Sequence, residues 1–136
     1  MIFVDTNVVS ETFKPDPSKQ VIEWLTNHDA SIALPSVVLA ELSYGIERIR
    51  PDQRAARLEK GLTAWQERFR DRIYPFHDTD ALAYGKLMGK VARSGRPMSM
   101  PDGMIAAMAL ARGWALATRN IKDFKPTGID LVDPWQ

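Results

Sequence analysis

The chain opens on an apolar run, Ile2-Phe3-Val4, which the polar triplet Asp5-Thr6-Asn7 breaks at once. Continuous hydrophobicity over so short a stretch predicts a strand covered on both faces, as in a parallel sheet. A short helix is predicted next, to about Phe13, and Pro15 and Pro17 then punctuate the chain. Val21, Ile22, Trp24 and Leu25 mark a second helix, and Ser31-Ile32-Ala33-Leu34 a second strand. Pro35 and Ser36 open a helix whose apolar stripe runs through Val38, Leu39, Leu42, Ile46 and Ile49 at helical spacing. Pro51 and Asp52 restart a helix that buries Leu58, Leu62, Trp65 and Phe69. Arg72-Ile73-Tyr74-Pro75-Phe76 predicts a third strand, which Pro75 places at an edge or at its own end. Asp78 or Thr79 is expected to cap the next helix, with Ala81, Tyr84, Leu87, Met88 and Val91 inward and Gly95 stopping it. Pro101 opens a further helix through Ala111 to a stop at Gly113. Trp114 to Thr118 predicts a fourth strand, and Ile129 to Val132 a short fifth at the edge.

Strands that alternate with helices predict an α/β domain with a mainly parallel sheet of four to five strands. The 136 residues suit one domain over 1–136, and the 45% hydrophobic and 26% charged content is that of a globular chain. No internal repeat, linker or low-complexity tract interrupts it. The absence of cysteine excludes disulfides, thiolate metal sites and cysteine nucleophiles, and a cytoplasmic location is expected. No signal peptide is read in the opening residues, and no apolar run reaches the length of a membrane span. The net charge of +1 lacks the basic excess of a dedicated nucleic-acid coat. Arg48, Arg50, Arg54, Arg57, Lys60, Arg68, Arg70 and Arg72 crowd the middle of the chain. A solvated helix face explains them slightly better than a phosphate-binding surface does.

Sites in parallel α/β sheets form beyond the carboxyl ends of the strands, which directs attention to Asp5 and to the segment after Thr118. Asp5 follows the first strand and suits a helix N-cap as well as it suits a site. Glu41 falls on the shoulder of its helix's apolar stripe, with Gly45 one turn further on clearing space. Asp102 shares a helix face with Ile105, Ala106 and Ala109, so an acid is expected to point inward. The helix dipole stabilises an anion there by only about 0.3–1 kcal/mol, and burial of an unpaired carboxylate costs several times that. Either Ser99, in a capping box, or a metal ion compensates it. Thr118-Arg119-Asn120-Ile121-Lys122-Asp123-Phe124 then brings an amide, an acid, a hydroxyl and a cation into one loop. Hard oxygen donors of this kind suit Mg²⁺ or Mn²⁺. His28 and His77 are read as structural or exposed.

Four segments in order carry a resemblance: Ile2-Phe3-Val4-Asp5-Thr6-Asn7-Val8-Val9-Ser10-Glu11, Val38-Leu39-Ala40-Glu41-Leu42-Ser43-Tyr44-Gly45, Pro101-Asp102-Gly103-Met104-Ile105-Ala106-Ala107-Met108-Ala109, and Ala117-Thr118-Arg119-Asn120-Ile121-Lys122-Asp123-Phe124. Together they resemble the successive motifs of PIN-domain proteins, nearest to the VapC and FitB-like toxins of bacterial toxin–antitoxin pairs. The likeness runs end to end, through Asp133-Pro134-Trp135. It implies an α/β/α sandwich, Mg²⁺- or Mn²⁺-dependent cleavage of RNA, a homodimer, and an antitoxin partner. Carried over by position, Asp5, Glu41 and Asp102 match the core acids. Asn120 stands where some members carry Asp, and Asp123 is the acid nearby chosen as the fourth catalytic and metal-binding residue. Thr6, Asn7, Thr118, Arg119 and Asn120 fall into supporting or substrate-binding positions. Two alternatives stay open at this point. One is a catalytically silent PIN-like module that binds RNA or protein. The other is a phosphoaspartate-type phosphohydrolase, although Asn7 stands where the haloacid dehalogenase-like pattern needs a second acid.

Overall fold

A computed structural model describes all residues from 1 to 136. Five parallel strands form one sheet in the order β3-β2-β1-β4-β5: β1 Ile2–Val4, β2 Ile32–Pro35, β3 Ile73–Tyr74, β4 Ala115–Ala117 and β5 Leu131–Val132. Between them run α1 Thr6–Glu11, α2 Lys19–Asn27, α3 Ser36–Ile49, α4 Arg54–Arg68, α5 Asp78–Arg93, α6 Met100–Arg112 and α7 Ile121–Phe124. Parallel neighbours need crossover connections, and helices supply them and flank the sheet. All of β2 is buried, as are Phe3, Val4, Leu116 and Ala117, so the central strands are covered on both faces. No helix is long and apolar enough to cross a membrane.

The chain lays β2 and β3 to one side of β1 and then returns to lay β4 and β5 on the other. Strand order therefore reverses at β1, and the crevice beyond the carboxyl ends of β1 and β4 is the switch point where α/β sheets bind ligands. The register Phe3↔Leu116 and Val4↔Ala117 sets the two strand ends level. The Asp5 N–H continues the ladder to the Ala117 carbonyl at 2.9 Å.

Several elements differ in extent from the sequence expectation. The outer strands β3 and β5 keep only two residues each, because each pairs on one side alone. Pro75 lies just beyond β3, which is at the edge as its proline indicates. The helix after it is not capped by Asp78 or Thr79. His77 holds the N-cap position, and its backbone N–H donates to Asp80 Oδ2 at 2.8 Å. Ala81 is exposed, not inward; the buried line on α5 runs Asp80, Leu87, Val91, with Tyr84 half-buried on it. Asp80 is completely buried and satisfied from afar: Arg112, at the end of α6, donates to its two oxygens at 2.7 and 3.3 Å. The same guanidinium lies within 6 Å of the ring centres of Phe3, Tyr74 and Trp114. This pair ties α5 to α6. Gly103 lets the helices approach closely, since a Cβ there would lie 2.5 Å from the Met88 sulfur and 3.0 Å from the Tyr84 ring.

The arginine-rich stretch is mostly a solvated face. Arg50 pairs with Glu47 and Glu59, Arg54 with Asp52, and Arg68 with Asp29. Arg72 donates to the carbonyls of Asp29 and Ile32 and stacks over Phe69.

Candidate active site

Asp5 is the N-cap of α1, and both of its carboxylate oxygens are held. One carboxylate oxygen caps α1 by accepting the Thr6 N–H at 2.7 Å. The other accepts the hydroxyl of Thr118, just past β4, also at 2.7 Å. The residue is 3% exposed and meets no cation. Burial pushes its carboxyl up to about 6, against the two hydrogen bonds from Thr118 and Thr6, and the negative charges of Asp102 and Glu41 push the same way.

Hydroxyls position both acids at this end of the sheet. Thr6 Oγ1 donates to Glu41 Oε1 at 2.7 Å, which fixes the half-buried Glu41 of α3 against α1. Thr118 is fully buried and, besides donating to Asp5, accepts from Asn120 N–H at 3.0 Å and Asn7 Nδ2 at 3.4 Å. Asn7 Oδ1 accepts the Arg119 N–H at 3.3 Å. Thr6, Asn7 and Thr118 are thus linked by hydrogen bonds to one another's elements and to the two acids. Thr118→Val is expected to leave one Asp5 oxygen unpartnered. It should cost about 1–3 kcal/mol in urea denaturation without metal and move any acid limb of activity to higher pH.

The sequence pattern puts Asp102 on the buried face of its helix, and its position in the fold is less extreme. It is half-buried, because the first turn of α6 protrudes past the core that covers Ile105 and Ala106. Ser99 is the N-cap and accepts the Asp102 N–H at 3.3 Å, so the capping role is real as well. The Asp102 carboxyl is raised by burial, and Asp123 raises it further against the Ser99 bond. Asp102 and Asp123 line one cavity of about 380 Å³. Asn120 holds the N-cap position of α7 and bonds Thr118 through its backbone N–H. Asp123 is therefore the residue of this pair that faces Asp102. Arg119 is exposed and stacks 4.9 Å over the Trp135 ring. His28 bonds the Trp24 carbonyl and stacks on Trp24, and His77 sits at a helix start; neither adjoins the acids.

As the side chains stand, no three of these acids converge closely enough to enclose an ion by themselves. Charge, not a finished cage, is what fits a divalent cation here. Other buried acids carry a basic partner: Asp80 has Arg112, and Glu11 has Lys14 at 2.8 Å. Asp5 and Asp102 have none, and each is pushed up by another acid. Oxygen donors left uncompensated at the switch point suit a hard cation.

Sequence reasoning missed the Asp80–Arg112 tie, and also Arg96 and Lys122, which line the cavity of Asp102 and Asp123. Lys122 had a signal, its place beside Asp123. Arg96 had none, since only the folded α5–α6 connection brings it there.

The PIN domain model matches residues 2–128. The chain is 31% identical to VapC ribonuclease Y4jK of Sinorhizobium fredii, over all of this chain and 99% of that one. It is 33% identical to plasmid stability protein StbB of Pseudomonas syringae pv. tomato, again over 100% and 99%. The crystal structure of FitAcB from Neisseria gonorrhoeae superposes with a TM-score of 0.89 at 29% identity, covering 100% and 99% of the two chains. With sheet, switch-point acids and full-length likeness in agreement, the chain belongs to the PIN-domain family, on its VapC/FitB-like ribonuclease-toxin branch.

Proposed function

We propose that this chain is an Mg²⁺- or Mn²⁺-dependent endoribonuclease and the toxin of a toxin–antitoxin pair. One observation carries the reading: acids at the switch point of a parallel sheet are buried or half-buried without a cation of the protein's own. The full-length likeness to a VapC ribonuclease supports it. In this reading Asp5 and Asp102 are the principal metal holders, with Glu41 and Asp123 acting directly or through water. A divalent ion held by these residues would lower the pKa of a water and polarise the scissile phosphate. Thr118 and Thr6 keep Asp5 and Glu41 in place, so little reorganisation accompanies the reaction. Glu41, whose second oxygen is free of the Thr6 bond, orients the attacking water and accepts its proton. The water oxygen bonds to phosphorus as the P–O3′ bond breaks and the departing O3′ takes a proton from solvent, leaving a 5′-phosphate and a 3′-hydroxyl. Asn7 and Asn120 brace Thr118, and Arg119 offers a charge to the RNA backbone at the rim. A homodimer and a cognate antitoxin covering the site belong to the same reading, as does a single catalytic domain working in the cytoplasm.

A phosphoaspartate mechanism is disfavoured. Its nucleophile would be Asp5, which is 3% exposed with both oxygens already bonded. The test is incubation of defined RNAs with Mg²⁺, Mn²⁺ or EDTA, followed by mapping of the ends. Discrete cuts with 5′-phosphates that vanish in EDTA are expected. Cleavage indifferent to EDTA, or none with either metal, would overturn the reading.

A further inference from the structure

The cavity of about 380 Å³ beside Asp102 has mixed charge: Asp102 and Asp123 line it together with Arg96 and Lys122. Acids and bases that share a small cavity normally neutralise each other. Here they do not: neither cation is in an ion pair, although two carboxylates line the same cavity. Arg96 comes from the connection between α5 and α6, and Lys122 from α7, so two separate elements deliver the charges.

We propose that Arg96 and Lys122 are positioning residues that hold a phosphate of the RNA adjoining the scissile one. This rests on the ribonuclease reading above. Four carboxylates at one end of the sheet repel a polyanion, and a single divalent ion offsets only part of that charge. Cations in the same cavity as Asp102 and Asp123 provide the remaining attraction beside those acids. Arg offers a planar fork to phosphate oxygens and Lys a point charge, and both stems are exposed and free to reach. The arginine-rich helix α4 is the competing surface. It is the weaker one: Arg50, Arg54 and Arg68 are engaged with acids, and Arg57 and Lys60, which are not, line no part of the cavity of Asp102 and Asp123.

The competing structural role is simple relief of repulsion between Asp102 and Asp123. The two roles give different readouts. A cation that neutralises a phosphate releases counterions, so on single-stranded RNA the slope of log kcat/KM against log salt changes by about 0.7 for each phosphate no longer held. Relief of repulsion changes metal affinity and leaves that slope alone. The experiment therefore measures cleavage of a defined single-stranded RNA at fixed Mg²⁺ over a range of KCl, with Mn²⁺ affinity measured in parallel. Arg96→Ala and Lys122→Ala are each expected to lower kcat/KM about tenfold, with kcat changed less than twofold and the salt slope flattened, and the double variant to flatten it by about 0.7. Arg57→Ala on α4 is expected to leave all three unchanged. Wild-type-like slopes in both cavity variants, or an equal flattening in Arg57→Ala, would overturn the proposal while the ribonuclease reading stands. A wild-type protein that cuts no RNA would overturn both.

Discussion

Asp5→Asn is expected to abolish metal-dependent RNA cleavage and, without metal, to make the protein more stable at neutral pH. The two effects share one cause. Asp5 is buried, accepts two hydrogen bonds and has no cationic partner, so its carboxyl is raised from 3.8 to about 6. The folded state then holds a proton between those values that the unfolded chain has released. Metal-free stability consequently falls as pH rises from about 4 to about 6, and the deficit is complete above that. A shift of about two pKa units corresponds to about 3 kcal/mol. Asn is isosteric and neutral, and its amide can still accept one of the two bonds. The loss of charge-assisted bonding offsets part of the gain, leaving an expected increase of about 1–3 kcal/mol and several degrees in melting temperature at pH 7.5. At pH 4 the wild-type and variant curves should converge. The activity loss should exceed the roughly 10–100-fold that removal of an outer partner of a metal ligand causes. Asp102→Asn should also lose activity, with a smaller stability gain, because Asp102 is only half-buried. Thermal melts across pH in EDTA, set beside cleavage rates in Mg²⁺, test both halves. A variant that is inactive and unfolded would contradict the account.

The largest loss of stability is expected from Asp80→Ala. Asp80 is fully buried and its oxygens take the Arg112 guanidinium and the His77 N–H. Truncation leaves Arg112, 17% exposed at its side chain, held among Phe3, Tyr74 and Trp114 without its counter-charge. Removal of one partner from a buried pair costs about 3–5 kcal/mol. The start of α5 loses its cap as well, which adds about 1 kcal/mol. Arg112→Met should cost less than Asp80→Ala, because the stem still packs on the three rings and Asp80 still accepts the His77 N–H. Denaturant midpoints of both variants check the order. A cost below about 1 kcal/mol for Asp80→Ala would show that the pair does not tie α5 to α6.

How far the sequence exposed these features depended on the range of the interaction involved. The strand at Ile2–Val4, the acid at its end and the helix stripe of Val38, Leu42 and Ile46 are local patterns, and they were legible. Asp102 was legible as an anomaly, an acid in the first turn of an apolar helix. Its half-exposure was not, because it depends on how far α6 protrudes past the sheet. Asp80 shows the opposite failure. It lies on the same helix face as Leu87 and Val91, and only Arg112, 32 residues later, makes that tolerable. Asp123 and Asn120 sit three residues apart, and the one-turn helix α7 decides which of them meets Asp102. The extents of β3 and β5 follow from the lack of an outer neighbour, which no local hydrophobicity records.

The central claim is that Asp5, Glu41, Asp102 and Asp123 are left without a cation of the protein's own because a divalent ion supplies the charge. Titration of the protein with Mn²⁺, followed by electron paramagnetic resonance of the free ion, tests it most directly. Binding is expected at pH 7.5, weakening as pH falls through about 6 where Asp5 takes up a proton, and lost in Asp5→Asn and Asp102→Asn. Wild-type protein that leaves the Mn²⁺ signal unchanged, or variants that bind as tightly as wild type, would contradict it.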